Sequence, residues 1–304
     1  MLRANAQIHI VANLEKSLAF YQSLGFAMGA APAPVAHSTF LASAKKSAPK
    51  AEARSASMII PGSEMKFVLL EFSGIEHKQI PQRLYDPGVV RFSIQVRDLD
   101  AAFQKAKAQG VAVLSSGAGP VLTQVPRNQT RAVMMQDPDG FIFEFVQADP
   151  MPATSVPATS NIYNARASLV VDDLGKAVPF YRDIFGFEAR EPNVVNEAVR
   201  NLEGTPDAVV RTSATNPPGA TNFWVLWEFS KVAKQQLPTR VQDPGSPALS
   251  IFVENLSALV TRLIAAGGQL ENPDEKPIML DAQTQGILVR SPDGLLMELL
   301  EQKK

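Results

Sequence analysis

Apolar residues recur along this chain in two rhythms, and the rhythms follow each other in a fixed order. Residues 8–11 form a short β-run. Leu14, Leu18, Tyr21 and Leu24 then fall on one face at helical spacing, and Gly25 is placed to stop that helix. Residues 66–72 read as a strand. A second round opens with a strand over 90–96 and a helix over 99–109, which brings Leu99, Phe103 and Ala106 together and ends at Gly110. Strand-like runs follow at 111–114, 132–136 and 141–147. Asp98 and Asp100 are placed to cap the helix after them. Asp137-Pro138-Asp139-Gly140 has the chemistry of a hairpin turn. The predicted order is β-α-β-β-β, twice.

The pattern then returns. Asn13-Leu14, Phe20-Tyr21 and Gly25-Phe26 recur as Asp173-Leu174, Phe180-Tyr181 and Gly186-Phe187. Leu70-Glu71-Phe72 recurs as Trp227-Glu228-Phe229, and Gln79, Pro81 and Arg83 as Gln236, Pro238 and Arg240. Asp86-Pro87-Gly88 matches Asp243-Pro244-Gly245. Asp137-Pro138-Asp139-Gly140 with Glu144 matches Ser291-Pro292-Asp293-Gly294 with Glu298. So many matches in register mean duplication of a domain-sized module. The division is a first module over 1–148, a Pro/Ser/Thr-rich linker over 149–160 and a second module over 161–304. The fold class is α+β, with four βαβββ units making two modules, each a curved mixed sheet around a cleft with helices outside. Biased stretches at 30–56 and 191–207 read as surface insertions or lids. The recurring Gln79/Gln236 and Arg83/Arg240 read as structural, the arginines capping strand or loop carbonyls. Pro81 and Pro238 suggest a fixed, extended crossover between half-modules.

With 29 basic and 30 acidic residues, the chain has no general electrostatic drive toward nucleic acid or an anionic membrane. The absence of cysteine removes disulfides, thiolate metal sites and cysteine nucleophiles. No apolar run reaches transmembrane length. The N-terminus lacks the apolar core of a signal peptide, so the expected location is the cytoplasm, which a leader removed upstream would change. Phosphate-binding glycine loops and nucleophile elbows do not occur.

The ordered set of Asp/Asn-Leu, Phe-Tyr, Gly-Phe and the Pro-Asp-Gly turn followed by Glu resembles the vicinal oxygen chelate superfamily of glyoxalases, bleomycin resistance proteins and extradiol dioxygenases. The likeness covers nearly the whole chain outside the linker and the two insertions. It implies ligands on inward-facing positions of the first and last strands of each unit. Those positions carry over to Ala6, Arg91, Arg166 and Ala248 on the first strands and to Glu71, Glu144, Glu228 and Glu298 on the last. All four carboxylates remain, and every histidine position is lost. His9 is offset to the other face of its strand and reads as packed, while His37 and His77 read as surface residues. No metal or other cofactor is therefore expected, although a divalent metal is what the family's enzymes would use.

Two partnerships of units give different sites. Pairing within copies places Arg91 with Glu71 and Glu144, and Arg166 with Glu228 and Glu298. Pairing across copies gathers Arg91, Glu144, Arg166 and Glu228, and leaves Glu71 with Glu298 and no cation. Charge compensation favours pairing within copies. Trp224 lies on the side of its strand that carries Glu228, where it could stack a flat ligand or fill the cleft. The expected function is binding or sequestration of a small molecule, with arginine anchoring an anionic or carbonyl-bearing compound. Structural ion pairs in an obsolete site are the plain alternative. The enzymatic alternative is a glyoxalase-like lyase or isomerase, or a dioxygenase, using a cleft glutamate as base with a divalent metal. Two modules in one chain suit a monomer or a homodimer.

Overall fold

A computed structural model describes residues 3–63, 65–80, 82–125, 128–216, 224–237 and 239–303. Pro81 and Pro238 lie outside the described residues. The first unit comprises β1 (Arg3–Val11), α1 (Leu14–Leu24), β2 (Ala27–Pro34), α2 (Thr39–Ala44), β3 (Glu52–Ile59) and β4 (Lys66–Ser73). The second runs through β5 (Val90–Val96), α3 (Leu99–Ala108), β6 (Ala112–Val113), β7 (Val121–Val125), β8 (Asn128–Gln136) and β9 (Ile142–Asp149). In the third are β10 (Ile162–Val171), α4 (Leu174–Phe185), β11 (Glu188–Ala189), β12 (Asn193–Val194), α5 (Glu197–Leu202), β13 (Val209–Asn216) and β14 (Trp224–Ser230). The fourth holds β15 (Pro247–Phe252), α6 (Leu256–Ala265), β16 (Gln269–Leu270), β17 (Ile278–Met279), β18 (Thr284–Arg290) and β19 (Leu296–Gln302).

The long helices α1, α3 and α4 start at polar capping residues, of which Asp98 is the one expected. The side chains of Asn13, Asp98 and Asp173 accept from the N–H of Lys16, Ala101 and Gly175. Gly25 and Gly186 end α1 and α4 in the left-handed conformation. Asp100 does not cap; it is held by both terminal nitrogens of Arg131, at 3.0 and 2.8 Å.

Two sheets form, and each draws one unit from each copy. One runs β16-β18-β19-β15-β1-β4-β3-β2, joining units four and one. The other runs β11-β13-β14-β10-β5-β9-β8-β6, joining units three and two. The seams are antiparallel, with Ile8 opposite Ala248 and Arg166 opposite Ser93. Pairing within copies is therefore overturned. The penalty invoked against pairing across copies does not arise, because Glu71 and Glu298 lie on opposite faces of their sheet and both are hydrogen-bonded.

One face of each sheet carries the long helices. Leu14, Leu18 and Tyr21 of α1, Leu99 and Phe103 of α3, Leu174 and Tyr181 of α4, and Leu256 and Leu263 of α6 share a single apolar core with both sheets. Within a copy the helices touch, α1 on α3 and α4 on α6. The Pro-Asp-Gly turns tie this arrangement together. Asp139 accepts from Ala12 N at 2.9 Å and from Ser17 Oγ at 2.5 Å, so a turn of the second sheet holds the start of α1. Asp137 accepts from Tyr21 Oη at 2.6 Å. Asp293 accepts from Asp172 N at 3.1 Å in the other copy. His9 is packed, stacked on Phe141 with centroids 3.6 Å apart, and burial lowers its pKa to about 3.

The crossovers between half-modules lock the copies to each other. Asp86 accepts from Gln235 N, and Asp243 from Lys78 N, both at 2.9 Å. Each aspartate also takes two prongs of an arginine three residues earlier, Arg83 or Arg240. Those arginines thus serve carboxylates first, rather than the carbonyls expected of them. Gly245, at φ +90°, lies where an added Cβ would come within 3.0 Å of the Asp139 and Ile80 carbonyl oxygens. No described helix is long and apolar enough to cross a membrane.

Burial raises the pKa of Asp137 to about 7 and that of Asp293 to about 6, from 3.8. The folded chain then keeps protons that the unfolded chain has released. The contribution of these groups to stability is greatest below the unfolded value and falls as pH rises through the folded values. Thermal melts should show a smaller loss between about pH 5 and pH 8 for Asp137→Asn/Asp293→Asn than for the unchanged chain. Equal losses would refute this linkage.

Candidate functional site

Strand alternation sorts the candidate residues onto two faces. On β4 and β14, Phe67, Leu69, Trp224 and Leu226 belong to the core under the long helices, whereas Leu70 and Phe229 face the other way. Glu71, Glu228 and Trp224 therefore sit on the helix-bearing face. Glu228 accepts from Leu174 N at 2.8 Å, at the start of α4, and from Nε and Nη2 of Arg211. Glu71 accepts from Leu14 N at 3.4 Å and lies 3.5 Å from Arg54 Nη1. A carboxylate beside a helix N-terminus, backed by an arginine from the neighbouring strand, is a structural device. Arg54 and Arg211 recur at the same 157-residue spacing as Glu71 and Glu228, so the pairing is encoded in the repeat. Trp224 packs edge-on against Tyr181 and Phe187.

The opposite face of each sheet holds the remaining candidates in matching rows. In the second sheet, backbone register aligns Arg166, Ser93 and Glu144 across β10, β5 and β9. The equivalent row in the first sheet is Ala6, Ser250 and Glu298 across β1, β15 and β19. Arg91 pairs with Ser168, which makes it a diagonal neighbour of Arg166, about 7–8 Å away along the backbone. Arg91, Arg166 and Glu144 are thus brought together, and Glu298 is alone on its face.

The stretches read as surface insertions or lids are in part sheet, with residues 30–34 in β2 and 52–56 in β3, and their helices α2 and α5 pack onto these faces. Phe40, Leu41 and Ala44 of α2 pack on Ile8, Ile10, Ala248, Leu288 and Leu296. Thr39, at the start of α2, donates to Glu298 at 2.7 Å, and Ser250 donates to its other oxygen at 2.7 Å. Burial raises the Glu298 pKa, and these hydroxyls oppose the rise. The first face is closed.

On the second face α5 covers only one end. Leu202 joins the apolar cluster with Val170, Met134 and Phe229. Glu203 follows it and receives Arg91 Nη2 at 2.7 Å, with both side chains almost fully buried. Burial pushes the Glu203 carboxyl up to about 7; Arg91 opposes this and Glu144 adds to it. The Arg91 guanidinium lies over the Trp227 ring, 4.2 Å from its centroid. The other end is open. A cleft of about 600 Å³ is lined there by Arg166, Gln95, Asn164, Thr130 and linker residues from Pro152 to Val156. That linker is held by Arg97, which donates to the Val156 and Ser160 carbonyls at 2.7 and 3.0 Å. Arg166 is half-buried and makes no ion pair among the described residues. A second cleft of about 710 Å³ beside the crossover at 236–242 contains Arg240 and Arg290, which are already paired with Asp243 and Glu271.

Carboxylate donors are sparse on these two faces among the described residues. Glu144 and Glu203 are the acids near one another on the second face, and Glu203 already serves Arg91. Glu298 accepts one hydroxyl on each oxygen. No group of three or more His, Cys, Asp or Glu that could hold a metal occurs among the described residues.

The family model described as "Glyoxalase/Bleomycin resistance protein/Dioxygenase superfamily" matches residues 7–145 and 164–299. Glyoxalase I from Zea mays is similar in structure, with a TM-score of 0.63 at 17% identity over 99% of this chain and 92% of that one. A putative dioxygenase from Bacillus subtilis subsp. subtilis str. 168 gives a TM-score of 0.55 at 14% identity, covering 99% and 85%. No curated protein sequence matches the chain.

Glu228→Ala should destabilise the fold by about 1–3 kcal/mol, the cost of unpairing a buried helix-terminal N–H and an arginine. Ligand affinity should be unchanged, because the residue faces away from the cleft. Chemical denaturation together with a binding titration checks both parts.

Proposed function

The chain belongs to the glyoxalase/bleomycin resistance protein/dioxygenase superfamily, and from that premise we propose that it binds a small anionic or carbonyl-bearing molecule in the Arg166 cleft without a metal. The observation that carries this reading is an arginine with no ion-pair partner among the described residues, set in a cleft of about 600 Å³. That volume suits a small organic ligand. A guanidinium offers a planar fork to carboxylate or carbonyl oxygens. Gln95, Asn164 and Thr130 supply neutral donors and acceptors around it. The donor set supports the metal-free part, since the glutamate of one face already accepts two hydroxyls and the other face has two acids beside arginines.

An enzymatic reading rests on Glu144. It is half-buried, in the row of Arg166, and its carboxylate has no hydrogen bond among the described residues. A base there could take a proton from a ligand anchored by Arg166. Turnover with loss of activity in Glu144→Gln would favour this reading over sequestration.

Calorimetric titration with a panel of aromatic carboxylates and carbonyl compounds should find a ligand whose affinity survives treatment with a chelator. Arg166→Met should weaken that ligand at least about tenfold. A panel without binders counts against the proposal, as does affinity indifferent to Arg166. Stoichiometric metal whose removal abolishes binding overturns the metal-free part.

A further inference from the structure

The closed end of the second face is short of hydrogen bonds. Arg91 Nε and Nη1, Ser93 Oγ, Glu203 Oε2 and Trp227 Nε1 are all buried without a partner among the described residues. Buried polar groups are ordinarily satisfied, so such a cluster calls for a reason. The ion pair at its centre differs from three of the others, and resembles the single-nitrogen Arg290–Glu271 pair except in being more deeply buried. Arg211, Arg83 and Arg240 grip their carboxylates with two nitrogens each, at half-exposed positions. Arg91 and Glu203, the most buried pair, share a single bond from Nη2 to Oε1.

Guanidinium geometry gives that contact a consequence. Its two forked edges are Nε with Nη2 and Nη1 with Nη2, and each edge uses a different hydrogen of Nη2. Glu203, held by one bond from Nη2, thus completes neither fork and leaves Nε and Nη1 without an acceptor among the described residues. The indole of Trp227 supplies a flat floor beneath the guanidinium.

We propose that Arg91 is a carboxylate subsite held by the protein's own Glu203, and that a small planar carboxylate replaces Glu203 there, taking a full fork over Trp227. This rests on the reading of the second face as the ligand-binding face and extends it inward from Arg166. The exchange moves segment 197–205, whose helix α5 is half-buried or exposed except at Leu202. The Leu202 carbonyl, which accepts from Ser115 Oγ at 2.9 Å, anchors its inner end.

Benzoate titrated into the full-length chain, with benzyl alcohol as the uncharged control, tests the proposal by calorimetry and tryptophan fluorescence. Glu203→Ala should bind benzoate at least about tenfold more tightly than the unchanged chain, with no gain for benzyl alcohol. The gain should vanish in Glu203→Ala/Arg91→Met and persist in Glu203→Ala/Arg166→Met. Loss of the gain with Arg166→Met would assign it to the outer cleft and overturn the Arg91 subsite. A folded Glu203→Ala chain with no gain overturns it too, as does a gain that survives Arg91→Met. If the alanine chain does not fold, Glu203→Gln keeps the side-chain shape and is read by the same outcomes. The Arg166→Met single variant reports on the outer cleft alone, so failure of that reading is seen separately.

Discussion

Everything in this molecule depends on two antiparallel seams, β1 with β15 and β10 with β5. Each joins a unit of one copy to a unit of the other by backbone hydrogen bonds. A seam fixes which side chains share a face, because register and alternation leave no freedom once the backbones are paired. Neither sheet can therefore be assembled from one copy. The crossovers answer the same constraint: Asp86 and Asp243 each hold the backbone of the other copy's connection. The Pro-Asp-Gly turns then bind the two sheets within each copy.

The duplicated scaffold ends in two unequal faces. Where Ala6 and Ala248 line the first, α2 seats apolar side chains and a hydroxyl, and the polar row is used up inside the protein. On the second face, arginines occupy the equivalent positions, and α5 covers one of them with a carboxylate. The other arginine opens to a cleft. Two substitutions in each first-strand pair thus separate a packed interior from a candidate binding surface on nearly the same backbone.

Much of the scaffold was legible in the sequence because local chemistry encodes it. The helix cap at Asp98, the left-handed stop at Gly25 and the register of the repeats all depend on neighbours close in the chain. The site was legible only in part. Arg91, Arg166 and Glu144 share a face as a pattern of unit positions suggested, whereas Glu71, Glu228 and Trp224 do not. A displacement of one residue along a strand reverses the face, and four glutamates at similar places in four units conceal two different roles.

The sequence by itself determined the duplication, the α+β units, their caps and turns, and the loss of histidine from the positions that the family resemblance marks. Only the tertiary structure decided which units pair, which face each glutamate takes, and that residues 39–44 and 197–203 lie against the sheets. The physical reason is the range of the interactions. Caps and periodicity act over a few residues, whereas the seams and the Arg91–Glu203 pair join groups 66 or more residues apart, where charge counting alone pointed to the wrong partner.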